Sequence, residues 1–172
     1  GFGGTGRFNA SGTGSRLTIQ NVQAEGTSLI DAGGIGGSTS GGDGIGGQGR
    51  GGTLELIAAQ GGTLTLPANT ANFFYLFATG NGGGSSVEGG TGGVGTGGNA
   101  TLLVDGGTLS AGRLALLIAG QGGSSANSDR NIAGGNATGG NVSVRVINSG
   151  TFNLGLQQLM ILPVYNQRTF AQ

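Results

Sequence analysis

Three glycine-rich tracts of nearly equal length, 33–52, 80–98 and 120–140, set the strongest limit on what this chain can fold into. They run for 20, 19 and 21 residues, and random linkers have no reason to keep their length. Glycine loses more backbone freedom on folding than any other residue. A chain that keeps it in bulk and still folds must need close backbone approach at many places. Of 172 residues, 44 are glycine and only two are proline. Such enrichment often marks low complexity. Here, however, 35% of the residues are apolar and the net charge is zero, the opposite of a polar, highly charged disordered chain. Collagen is excluded too, since the strict Gly-x-y period and high proline are missing. The tracts are expected to be packed, as extended, polyproline-II-like layers lying side by side or, as the alternative, as further irregular strands of the same stack.

The segments between the tracts repeat. Gly51-Gly52-Thr53-Leu54-Glu55-Leu56-Ile57 is followed by Gly61-Gly62-Thr63-Leu64-Thr65-Leu66 and then by Phe74-Tyr75-Leu76-Phe77. The same order returns at Gly97-Gly98-Asn99-Ala100-Thr101-Leu102-Leu103-Val104, Gly106-Gly107-Thr108-Leu109-Ser110 and Leu114–Ile118. It returns again at Gly139-Gly140-Asn141-Val142-Ser143-Val144-Arg145-Val146, Ser149-Gly150-Thr151-Phe152 and Leu159–Leu162. The leading glycine pairs lie 46 and then 42 residues apart, with a more degenerate copy ahead of them. The chain therefore reads as one repeat domain, 1–172, with units of approximately 1–50, 51–96, 97–138 and 139–172.

Each unit holds three short apolar segments bounded by glycine. Alternation such as Val142-x-Val144-x-Val146 is a strand signal, and no stretch repeats apolar residues at helical spacing over the length a helix needs. Only 156–162 is ambiguous. Three strands per unit cannot bury their apolar faces alone, but stacking unit on unit buries them. The expected fold is all-β with essentially no helix: a parallel β-solenoid (β-helix) of about four units of about 44 residues, spaced by the interstrand distance of about 4.8 Å. Leu54/Leu56, Leu102/Val104 and Val144/Val146 are expected on one inward ladder. Leu76, Leu116 and Met160 or Ile161 are expected on another.

The blocks Gly97–Leu116 and Gly51–Leu66 resemble the glycine-rich repeats of large secreted bacterial surface proteins, of the filamentous-haemagglutinin and autotransporter-passenger kind. The resemblance covers about residues 50–160 and rests on pattern. It implies a right-handed parallel β-solenoid on the cell exterior, used for adhesion or as a surface fibre. The long glycine tracts depart from that pattern.

Composition narrows function. The chain has no Cys, His, Lys or Trp, and all seven cations are arginine. Disulfides, zinc fingers and Ser–His or Cys nucleophilic sites are thereby excluded. Seven scattered arginines against seven acids leave no electrostatic footprint for nucleic acid. No run approaches the roughly 18–20 apolar residues of a membrane helix. Beginning at Gly1 rather than Met, the chain reads as a processed mature protein or a fragment.

Candidate sites are few. Gly42-Asp43-Gly44-Ile45-Gly46-Gly47 is similar to the calcium nonapeptide of repeat-in-toxin proteins, but that cage needs an acid in each copy. Glu88 and Asp129 fall at other offsets, so no cofactor is expected, with calcium at this motif as the alternative. Gly1-Phe2-Gly3-Gly4-Thr5-Gly6 matches a phosphate loop only superficially, for no strand precedes it and no Lys follows. Acid–base catalysis needs paired carboxylates or a carboxylate with His or Lys. Glu25, Asp31, Asp43, Glu55, Glu88, Asp105 and Asp129 are isolated in sequence, although stacking could gather Asp31, Glu88 and Asp129. The chain is read as non-enzymatic, with a polysaccharide-active β-helix enzyme as the third choice.

Contact residues are easier to name. Phe73-Phe74-Tyr75-Leu76-Phe77 is the one aromatic cluster, half core and half contact surface. The end of a solenoid exposes strand edges that must be capped or must pair with another molecule. Phe2 and Phe8 at one end, and Leu162, Val164, Tyr165 and Phe170 at the other, complete the candidate assembly set. The expected partners are copies of the chain itself or cell-surface glycans. The leading expectation is a secreted structural or adhesive protein of a bacterial surface that polymerises end to end. The alternative is a glycan- or ice-binding module, the latter requiring Thr53, Thr63, Thr108 and Thr151 on one flat face.

Overall fold

Alternation decides the longest segments. In β6 (Thr53–Ala59) and β11 (Asn99–Asp105), Leu54, Leu56 and Ala58, and then Ala100, Leu102 and Val104, are buried, while the residues between them face outward. That is a strand with one face on a core. The computed structural model describes residues 1–20, 28–41, 44–67, 73–125 and 134–162, with side-chain surroundings for all of these except 28, 29, 156–158 and 162. Among the described residues the protein is all-β and contains no helix.

The first unit carries β1 (Thr5–Ser11), β2 (Arg16–Thr18), β3 (Ser28–Asp31), β4 (Gly34–Ile35) and β5 (Gly49–Arg50). The second carries β6, β7 (Thr63–Thr65), β8 (Phe74–Phe77), β9 (Gly80–Asn81) and β10 (Gly95–Thr96). In the third, β11 is followed by β12 (Thr108–Leu117), β13 (Gly120–Gln121) and β14 (Ala137–Thr138). The fourth has β15 (Asn141–Ile147) and β16 (Thr151–Leu162). The ambiguous stretch 156–162 thus lies in a strand.

Equivalent strands of successive units pair, giving the sheet orders β1-β6-β11-β15, β4-β9-β13 and β5-β10-β14. The fourth sheet runs β2-β7-β12-β8-β3 with β16 also on β12, because β12 is long enough to cover the places of both β7 and β8. The register shifts between Ala111 and Arg113, which pair with Leu154 and Gln158, so β16 carries two extra residues opposite Gly112. Among the described residues every strand-to-strand pairing is parallel, and the one antiparallel bridge, Ala59–Gly106, sits at a turn. The columns read Thr5–Thr53–Asn99–Asn141, Phe8–Leu56–Leu102–Val144 and Ala10–Ala58–Val104–Val146. Of the expected inward residues, Leu54, Leu56, Leu102 and Val104 are buried, while Val144 and Val146 are 38% and 46% exposed. Leu102 meets Val144 and Val104 meets Val146, but the second unit is offset by two residues, so that Leu54 meets Ala100 and Leu56 meets Leu102. On the neighbouring sheet Ile30, Leu76, Leu116 and Ile161 share a column.

These faces close on one core, which includes Leu54, Leu56, Leu64, Leu76, Leu102, Leu109, Leu114 and Leu116, each no more than 2% exposed. Tight turns return the chain from one face to the next. Turns 59–62 and 147–150 are closed by Gly62 N–H to Ala59 C=O and Gly150 N–H to Ile147 C=O. Both central residues of each have positive φ: 52° and 79° at Gln60 and Gly61, 52° and 58° at Asn148 and Ser149. This is the primed geometry that matches strand twist.

Candidate functional site: the glycine layer and its surroundings

The tracts are built, not looped. Each has an outgoing run, holding β4, β9 or β13, and a return run, holding β5, β10 or β14. Within a run, glycine alternates with a residue that has a side chain: Gly34-Ile35-Gly36, Gly80-Asn81-Gly82, Gly49-Arg50-Gly51 and Gly95-Thr96-Gly97. The side chains lie on the outside, as the 73% exposure of Ile35 shows, and the glycines face the opposite run. A β-carbon at Gly36 would overlap the Gly47 carbonyl, one at Gly82 the Gly93 carbonyl, and one at Gly122 the Gly135 carbonyl. Only glycine permits that approach.

Close approach creates hydrogen bonds that ordinary sheets cannot make. Gly47 N–H donates to Gly37 C=O (2.8 Å), Gly83 to Gly47 (2.8 Å), Gly93 to Gly83 (2.8 Å), Gly123 to Gly93 (2.9 Å) and Gly135 to Gly123 (2.9 Å). These five bonds pass back and forth between outgoing and return runs while climbing through three units. The same runs also bond along their own sheets, as in Gly46 N–H to Thr91 C=O (2.9 Å) and Gly82 N–H to Gln121 C=O (2.7 Å). Facing sheets with side chains sit about 10 Å apart, too far for any such bond. The backbone here is tied in two directions at once.

At mid-tract, Thr39, Ser85 and Ser125 form successive parallel bridges. A shallow groove of about 350 Å³ there is lined by Ser38, Thr39, Ser40, Gly84, Ser85, Ser86 and Ser124. The sequence analysis missed this hydroxyl strip. Its signal was present, since a Ser/Thr pair recurs at the same depth of every tract. A second depression, about 520 Å³, lies along Thr65, Leu66, Ser110, Ala111, Phe152, Asn153, Leu154 and Gly155, beside the register shift between β12 and β16.

The aromatic segment divides by parity. Phe74 is in the core at 3% exposure, whereas Phe73, Tyr75 and Phe77 are half-buried on the outer face. Their ring centroids follow at 6.0 and 5.7 Å, and the Arg113 guanidinium lies 5.1 Å from the Phe73 centroid. Phe8 packs against the core from β1, and Phe2 is 83% exposed where it bridges Arg50. Leu162 ends β16 opposite Leu117. Val164, Tyr165 and Phe170 lie outside the described residues.

The described carboxylates stand apart. Glu55 pairs with Arg7 at 3.3 Å, Asp105 accepts from Asn148 Nδ2 at 2.6 Å, and Asp31 accepts from the Gly33 N–H at 2.6 Å. Asp31 shares its column with Phe77, so it does not meet Glu88. Glu25, Asp43 and Asp129 lie outside the described residues. Among the described residues no group of three or more metal-ligating side chains gathers. The four expected threonines are split: Thr63, Thr108 and Thr151 share a column, but Thr53 belongs to a different sheet beside Thr5 and Asn99. The flat four-threonine face that ice binding requires is not formed. No helix among the described residues is long and apolar enough to cross a membrane. Compared with known protein families, curated proteins and solved structures, the chain matches none.

Proposed function

We propose that this chain is a non-enzymatic structural or adhesive protein of a bacterial exterior. It is a parallel β-solenoid of four units whose glycine tracts form a dense, polyproline-II-like layer along one side. Copies of it assemble end to end into a fibre. The observation that carries this reading is the two-directional backbone bonding of the glycine layer, joined to a core that repeats in one register through every unit. Pulling neighbouring units apart must break many backbone bonds together, which suits a mechanical task. A chain with 8% charged residues and no lysine suits a secreted material, and the resemblance of 50–160 to surface-protein repeats points the same way. Negative-stain electron microscopy over a concentration series is the test. Straight rods one molecule wide, lengthening with concentration, are expected; isolated particles at every concentration would remove end-to-end assembly.

A further inference from the structure

We infer that two copies join head to tail in the register that already links the units of one copy, with β15 of the first pairing in parallel with β1 of the second. The inference rests on the assembly reading and specifies its junction.

The first support is the edges. β1 and β15 are the two terminal strands of one parallel sheet, each seven residues long, and among the described residues each has a strand partner on one edge only. A single hydrogen bond recurs between successive units: Thr53 N–H to Gly4 C=O (3.0 Å), Asn99 N–H to Gly52 C=O (2.9 Å) and Asn141 N–H to Gly98 C=O (2.9 Å). The next member of that series runs from Thr5 N–H of a second copy to Gly140 C=O. The glycine segment ahead of β1 fits as well. Gly3 N–H donates to Arg50 C=O (2.7 Å) and Arg50 N–H to Gly1 C=O (2.9 Å), so Gly1–Gly4 already lie on a neighbour as Ala137–Gly140 do on theirs. Gly1–Gly4 of the second copy would lie in turn on Ala137–Gly140.

The second support is where apolar surface is left open. The large apolar side chains with high exposure are Phe2, Ile35 and Ile45 in the first unit, and Val144, Val146, Met160 and Ile161 in the last. Among the described residues, the two inner units have none. Val144 is 38% exposed although its column partners Leu56 and Leu102 are at 1%. The difference comes from having a neighbour on one side instead of two. In the inferred register Val142, Val144 and Val146 receive Gly6, Phe8 and Ala10, one large side chain between two small positions. The outward pairs are Asn141 with Thr5, Ser143 with Arg7 and Arg145 with Asn9, so no like charges stand directly opposite, and Arg7 and Arg145 are diagonal neighbours.

The chain has no cysteine, which makes the register directly readable by cross-linking. In-register neighbours on adjacent strands sit about 4.8 Å apart, inside the span a disulfide bridges, while partners displaced by two residues exceed about 7 Å. Arg145→Cys mixed with Asn9→Cys under mild oxidant should give a disulfide-linked dimer at least about tenfold more abundant than Ser143→Cys mixed with Asn9→Cys. All three positions are exposed in the free chain, so the variants keep their fold. Val144→Arg provides a second readout: it leaves the circular-dichroism spectrum unchanged and abolishes the dimer. Assembly with no preference between the two cysteine pairs would overturn this register and leave end-to-end assembly standing. Protein that sediments as monomer at every concentration would overturn both. Assembly that begins only after residues 163–172 are deleted would show that the chain's own tail covers the edge, and would also overturn the junction.

Discussion

At the scale of single residues, the fold depends on side chains that are missing. A methyl group on Gly93 would collide with the backbone of Gly46 and Gly47, whereas one on Gly37 would meet nothing within 4 Å. Neither glycine has positive φ, so steric room alone separates them. Gly93→Ala should destabilise by about 3 kcal/mol, because a β-carbon facing backbone has no flexible neighbour to push aside. Gly37→Ala should be within about 0.5 kcal/mol of the parent, as for other surface changes. Urea melts of the two variants make the comparison, and equal midpoints would mean that the two runs do not touch. Sequence reading reached the need for close approach but not which glycines supply it. A glycine carries no apolar or polar label, so the alternation in Gly34-Ile35-Gly36 or Gly95-Thr96-Gly97 reads as low complexity until its bare face is seen against another backbone.

Among the elements, parity was legible and pairing less so. The alternation in β6 and β11 marks the inward residues from sequence, since every buried position there is apolar, although the outward Ile57 and Leu103 are apolar as well. The register needs the backbone. Size would pair Leu54 with Leu102, yet Gly52, Gly98 and Gly140 align the units and put Leu54 over the smaller Ala100. The same backbone alignment makes one column a graded probe of burial. Leu102→Ala, at 1% exposure with a unit on each side, should cost about 3 kcal/mol. Val144→Ala in the same column, at 38% exposure, should cost less than about 1 kcal/mol in dilute protein. Chemical denaturation at low concentration checks both, and similar costs would mean the fourth unit is as enclosed as the third. The Arg7–Glu55 pair adds little, since the Arg7 side chain is 60% exposed and solvent screens it.

For the whole molecule, the question is whether the glycine layer is as firmly held as the apolar core, although its facing runs meet mainly backbone to backbone. Cores are stabilised mainly by burying apolar area, which the layer cannot do. What it has is backbone bonds in two directions, each worth only about 1 kcal/mol net but formed in one continuous series. Their cooperation sets the outcome: Gly83 donates to Gly47 and accepts from Gly93, so opening one bond loosens the next. Amide hydrogen exchange measures this directly. The amides of Gly83, Gly93 and Gly123 should exchange at least about a hundredfold more slowly than a free chain, within reach of the core amides of β11, because all belong to one cooperative unit. The amides of β15 should exchange faster than those of β11 in dilute protein and slow as concentration rises, since association covers an edge that is otherwise open. Glycine amides exchanging at free-chain rates beside a protected β11 would reduce the layer to a surface loop, and the mechanical reading would lose the feature that distinguishes this chain from an ordinary apolar stack.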